Sequence, residues 1–289
     1  MKKYLEGALI ANAAALGFNW IYNMPYLERT AKSETLVFQK ADPEKYKRAR
    51  KGTFAYPFAE VGDVSFQGEI AKWLYQALKE NPDLTKEEYE QLVFEQIKPG
   101  GAYRGWIESY GRKLVFNKEI EAFKLDYTPL SQDDDQLIGF IPYLVTKELG
   151  LSNEKAWELA QAFTNLEEYK EFYETFDLLF KDLESMPMKE ALQKSIQNAP
   201  KQYGFKLTMA VNMEDVKSFI LQLVNTSCPI KYAIPLTYAI LAHTNSYQEA
   251  VELNTKLGGA SADRGMLIGA IYSQISDIPE DWQKHLKHE

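Results

Sequence analysis

The chain has 289 residues, 45% hydrophobic and 26% charged, which supplies enough apolar side chain for a sizeable core in one or two domains. Lys and Arg total 33 against 41 acids, a net charge of −8, and this disfavours the phosphate neutralisation on which non-specific nucleic-acid binding rests. No run approaches the roughly 18 uninterrupted apolar residues of a membrane span, and a lone cysteine, Cys228, excludes an internal disulfide and suits a reducing cytoplasm.

From Tyr4 to Tyr22, residues Leu5, Leu9, Ala13, Leu16 and Trp20 recur near the helical period. Two lysines ahead of this alanine-rich run resemble the start of a signal peptide. Glu6, Asn12 and Asn19 interrupt it, so a first structural helix is expected. Asn12 sits mid-helix and either bonds a neighbouring helix or faces a cavity, because an unsatisfied buried amide costs about 1–3 kcal/mol. Residues 30–62 lack periodicity and read as a solvated loop, or as a flap over a pocket. Asp63 or Ser65 is placed to cap the apolar-periodic run through Ile70, Trp73, Leu74 and Leu78. Thr85 and Glu88 form a capping box, and Pro99-Gly100-Gly101 stops the helix it starts. Tyr103 and Trp106, beside glycines, offer either core rings or a stacking face for a base or sugar.

Asp133, Asp134 and Asp135 precede a further apolar run. Ser152 and Thr164 read as N-caps, the latter with Glu167 as a capping box, and Asn212 as the cap of a helix over 213–224. Pro235 interrupts the apolar helix that ends at His243 and should kink it. A third capping box, Ser246 with Glu249, starts a helix that runs into Gly258-Gly259. The glycine pair allows a tight turn, and the helix predicted to start near Asp263 points its free N–H groups and positive dipole end at the space beyond, which suits an anion. Gly265, Gly269 and Ala270 recur at helical spacing and permit close packing of another helix. Strand-like alternation is scarce. The pattern predicts one compact all-α domain over residues 1–289.

The opening Gly7–Trp20 stretch, the Gly62-Asp63-Val64-Ser65 helix start and the Leu257–Ile271 stretch stand in the order found in ADP-ribosylglycohydrolases, which the chain resembles. Gly101–Trp106 and Arg264-Gly265 resemble a divergent branch of that family. The resemblance implies an all-α, orthogonally packed fold, two Mg²⁺ ions held between Thr-Asp-Asp and Gly-Gly-Asp-x-Asp-Thr clusters, and hydrolysis of a glycosidic bond between ADP-ribose and a protein side chain. Here Thr-Asp-Asp falls on Gly62-Asp63-Val64. The second cluster falls on Gly258-Gly259-Ala260-Ser261-Ala262-Asp263, with alanines at both expected aspartates. Asn12 stands where Asp is usual. The lost charges argue against two metals, since ligand charge offsets cation desolvation.

The resemblance therefore implies Asp63 and Asp263 as catalytic carboxylates on facing walls of one cleft. At most one Mg²⁺ would sit among Asp63, Asp263 and Asp133 or Asp134. Asn12, Tyr103, Trp106, Gly258, Gly259, Ser261 and Arg264 would contact a small-molecule or ADP-ribosylated protein substrate. The competing expectations are a protein that kept the cleft for ADP-ribose or nucleotide binding without hydrolysis, and a structural relative whose cleft is filled.

Overall fold

A buried, alanine-rich helix (Tyr4–Ala15) and a buried, glycine-punctuated one (Ser261–Tyr272) form the centre of the molecule, and every other element is arranged about them. The computed structural model describes residues 3–287; His288 and the lysine at position 2 lie outside the described residues. Among the described residues there are sixteen α-helices and no strand, only two isolated bridges, Ile21 to Gly52 and Asp133 to Thr164. None of these helices is long and apolar enough to cross a membrane.

The two central helices touch backbone to backbone because glycine removes the side chains between them. A Cβ on Gly269 would stand 2.1 Å from the Gly7 carbonyl oxygen, and one on Gly7 would stand 2.6 Å from that of Gly269. Gly265 lies similarly against the Ala11 carbonyl, at 3.0 Å. The small-residue spacing read from the sequence is thus the seam of the core. Helices Phe66–Glu80, Phe140–Leu149, Ile230–Ala242 and Tyr247–Leu257 pack around this pair. The main cluster of buried apolar side chains runs from Tyr4 to Leu286 in sequence.

Several predicted boundaries fall where local chemistry put them. Thr85 and Glu88 form the reciprocal capping box. Ser152 caps Asn153–Ala160, Ser246 caps Tyr247–Leu257, and Ser65 caps Phe66–Glu80. Glu249 accepts from the Asn245 N–H at 2.7 Å rather than from Ser246, so that box is shifted by one residue. Thr164 caps no helix: its hydroxyl accepts from Leu166 N and the next helix begins at Glu168. Asn212 ends a helix (Gly204–Asn212), and Asp215 caps the one that follows.

The stretch 30–62 is not all loop. Asp42 caps a short helix, Pro43–Ala49, with proline pre-set at its first turn. Pro235 sits inside a continuous helix, and the Lys231 carbonyl it leaves unpaired lies 3.5 Å from Lys206 Nζ.

Candidate functional site

Ser65 is the hub of the buried polar centre. It caps its own helix and bonds to both central helices. Its N–H donates to Asn12 Oδ1 at 2.7 Å, its Oγ accepts from Asn12 Nδ2 at 2.8 Å, and its hydroxyl donates to Asp263 Oδ1 at 2.8 Å. Asn12 is therefore satisfied by a neighbouring segment, the first of its two expected outcomes. All three residues are almost wholly buried. Asp263 Oδ2 has no partner. Burial pushes the Asp263 carboxyl up from 3.8 to about 6, against the opposing pull of the Ser65 hydrogen bond and the Arg264 charge.

A second buried acid adjoins it, one that the sequence pattern did not single out. Glu108 precedes helix Ser109–Phe123, its side chain bonds no helix N–H, and its Oε1 has no partner. Burial, then the charges of Asp263 and Asp134, hold its carboxyl well above the usual range. An acid ahead of a helix start reads as a cap, so only three-dimensional contact distinguishes it.

The double glycine makes the bend foreseen for it, with φ of +77° and +71°. Side chains are excluded there: a Cβ on Gly259 would lie 1.9 Å from the Thr226 carbonyl oxygen. The amides from Gly258 to Ala262 are not free for an anion. Gly258 N–H donates to Thr255 O, Gly259 to Ile21 O, Ala260 to Thr226 O, Ser261 to Gly259 O and Ala262 to Asn19 Oδ1. The helix begins at Ser261, two residues earlier than expected.

Arg264 is fully buried, its Nε donating to Asn254 Oδ1 at 2.8 Å and its Nη2 to Gly258 O at 2.8 Å. Burial lowers its pKa to about 10, so it stays charged at neutral pH. Gly258, Gly259 and Arg264 thus have partners within the fold here, while the Ser261 hydroxyl is buried without one.

Asp63 and Asp263, expected to face one another, have different surroundings. Asp63 turns outward: Oδ2 accepts from the Glu60 N–H at 2.8 Å and Oδ1 from Lys287 Nζ at 2.6 Å. Trp20, Ala55, Tyr56, Ala260 and Ala262 pack with Leu16 into a satellite core. Trp20 holds a left-handed backbone (φ 63°), uncommon for a bulky residue, and is fixed by its N–H to Gly259 O and by its carbonyl to the Thr53 N–H. Its indole lies 6.2 Å from the Tyr56 ring and 6.0 Å from that of Trp106.

The expected Mg²⁺ ligands do not fit a hard divalent cation. Among the described residues no group of three or more His, Cys, Asp or Glu side chains is placed to hold a metal. Asp63 and Asp133 each face a lysine ammonium, Lys287 and Lys113. Asp134 is buried and accepts from the Gln136 backbone N–H at 3.0 Å, with burial pushing its carboxyl up to about 6. A Mg²⁺ site needs several oxygens converging in octahedral array, and these four carboxylates have other partners.

The open feature next to this sealed centre is a groove of about 580 Å³. Phe58, Trp73, Tyr103 and Trp106 wall it, with Asp63 and Glu69 among the lining acids. Tyr103 is braced by Phe66 and Trp73 and donates its hydroxyl to the Trp106 carbonyl at 3.0 Å. Phe58 is 82% exposed and Trp106 36%. Arg112 lies over the Trp106 ring at 5.5 Å. Of the expected contact residues, Tyr103, Trp106 and Asp63 are brought together here, while Asn12, Ser261 and Asp263 lie in the buried centre.

A solved structure described as an ADP-ribosylglycohydrolase-related protein complex superposes over 99% of this chain and 93% of its own, with a TM-score of 0.60 and 16% identity. The fold is ADP-ribosylglycohydrolase-like. No family model and no curated protein sequence matches the chain. At this identity the likeness is one of backbone fold alone.

Proposed function

We propose that this chain is a binding protein on an ADP-ribosylglycohydrolase-like frame, holding a nucleoside or ribosyl ligand in the Tyr103–Trp106 groove without metal-assisted hydrolysis. The observation that supports this reading is the open wall of aromatic rings beside a sealed motif region. Stacking a base or sugar face on such rings contributes about 1–3 kcal/mol per ring by truncation. Residues of the motif region bond one another, Ser65 to Asp263, Asn19 to the Ala262 amide and Arg264 to Gly258, rather than lining the open groove.

Calorimetric titration with adenosine and with ADP-ribose tests the reading. Binding of either, weakened about tenfold by Trp106→Ala, supports the groove as the site. Binding untouched by Trp106→Ala and Phe58→Ala overturns it.

Hydrolysis is the second reading, and one observation favours it: Asp63 supplies a carboxylate to the groove wall. It predicts release of ADP-ribose from modified arginine or serine peptides, lost in Asp63→Ala. Release that is absent, or indifferent to Asp63, ends that reading.

A further inference from the structure

The segment that carries the groove rings Tyr103 and Trp106 ends in a buried acid. Residues 98–108 link helix Lys86–Ile97 to helix Ser109–Phe123. Gly101 N–H donates to Lys98 O and Tyr103 N–H to Gln96 O, both at the near end of the link. Further along, side chains do the holding. The Tyr103 hydroxyl donates to the Trp106 carbonyl, and the Trp106 ring packs edge-on to Trp20. Two residues on, the Glu108 side chain turns into the interior, 2% exposed where Trp106 is 36%.

Glu108 enters the buried centre alongside Asp263. Each carboxyl keeps one oxygen without a partner, Glu108 Oε1 and Asp263 Oδ2, and so does the Tyr110 hydroxyl. Three charges act on Glu108. Asp263 and Asp134 oppose its ionisation, and Arg112, one turn along its own helix, favours it. That guanidinium also donates to the Ile107 carbonyl at 2.6 Å. Tyr56, Tyr103, Tyr110 and Cys228 face the same acids, and burial keeps all four neutral. A charged Glu108 would stand desolvated beside two other acids, a state relieved by moving a few ångströms to water.

We propose that Glu108 is a proton-gated anchor for the groove: with its proton it seats the 101–108 segment, and on losing that proton to solvent it leaves the centre and frees the Tyr103 and Trp106 rings. Outside the centre the carboxyl titrates near its ordinary 4.5, while burial, then the charges of Asp263 and Asp134, hold the seated group well above that. Below 4.5 both forms carry the proton and the seat has its full strength. As pH rises the released form ionises first, so release grows until the seated carboxyl ionises as well. The consequence for binding rests on the groove being the ligand site, as proposed above; the movement of the segment does not.

Trypsin cleavage after Arg104, inside the segment, reads the released population with no ligand present. Rates are followed by mass spectrometry between pH 6 and pH 8.5, each divided by the rate on an unstructured peptide at the same pH. The wild type is expected to rise about tenfold across this range, since linkage permits up to tenfold per pH unit. Glu108→Gln, which cannot ionise, should stay flat. Asp263→Asn should rise less, because one of the charges that expel Glu108 is gone. A flat wild-type profile, or an equal rise in Glu108→Gln, overturns the proposal. If Glu108→Gln does not fold, Asp263→Asn decides: a diminished rise supports the anchor and an undiminished one overturns it. Adenosine titrated calorimetrically at pH 6 and pH 8.5 reads the groove separately. Affinity that falls as cleavage rises supports the gate, and unchanged affinity overturns it. Rising cleavage with no adenosine bound at either pH supports the anchor and refutes only the groove as a nucleoside site.

Discussion

Replacing Asp263 with asparagine isolates the energetic consequence of the buried carboxyl. The amide keeps an oxygen to accept the Ser65 hydroxyl and removes the ionisation. In the folded protein this group titrates near 6, against 3.8 for an unburied aspartate. Below pH 3.8 both folded and unfolded forms carry the proton, and the group imposes no ionisation cost. As pH rises past 3.8 the unfolded form releases its proton first, so folding loses stability until the folded group also ionises near 6. Above that the cost is constant, about 3 kcal/mol for a gap of this size. The Asn variant has no such loss.

Urea unfolding of both proteins at pH 4 and at pH 7.5, followed by far-UV circular dichroism, gives the comparison. The new amide N–H at the unpartnered Oδ2 position shifts the variant's absolute stability at every pH, so the decisive quantity is the difference between the two proteins as pH changes. The variant should gain about 2 kcal/mol on the wild type between pH 4 and pH 7.5, or about 4 °C in Tm for a chain of this length. Parallel pH profiles would refute the claim that Asp263 is a desolvated carboxyl held by Ser65.

Other perturbations follow from the same contacts. Arg264→Met should destabilise the fold by about 3–5 kcal/mol in denaturant titration, because it strips buried acceptors at Asn254 and Gly258 of their donor. An Arg264→Met protein as stable as wild type but unable to bind ligand would restore the residue to a binding role. Gly269→Ala drives a methyl into the Gly7 carbonyl and should cost at least about 1–3 kcal/mol, read as a fall in denaturation midpoint; an unchanged midpoint would mean the central helices are not in backbone contact. Asn12→Leu should cost about 1–3 kcal/mol by leaving Ser65 N–H without its buried acceptor, and a neutral effect would place Asn12 outside the network.

The all-α architecture was legible because its cause is local. Small residues at helical spacing in the first and last core helices, and Ser or Thr three residues ahead of Glu, act through nearest neighbours. The double-glycine bend was legible for the same reason, since only glycine reaches those backbone angles. What lay beyond the sequence was the set of partners. Nothing in the Leu257–Ile271 stretch says that Ile21, Thr226 and Asn19 arrive to consume its amides, so from the sequence an anion site and a ligand-free helix corner read alike. Arg264 looked available for a phosphate because its acceptors, Asn254 and Gly258, meet it only once the bend has formed. Ser65 read as a cap, which it is, while its second bond to Asp263 spans 198 positions. The Trp20 backbone, left-handed without glycine, has no local signature, yet it seats the indole in the satellite core with Tyr56 and Ala262.

Hydrolysis and binding diverge most plainly in one measurement. Incubating the protein at saturating Mg²⁺ with an ADP-ribosylated arginine peptide, while titrating free ADP-ribose calorimetrically in parallel, reads turnover and occupancy on the same preparation. The account predicts ADP-ribose binding that depends on Trp106, and no release from the peptide with or without the metal. Mg²⁺-dependent release that disappears in Asp263→Asn would contradict it, because that result requires the buried carboxyl to serve a metal site rather than the core.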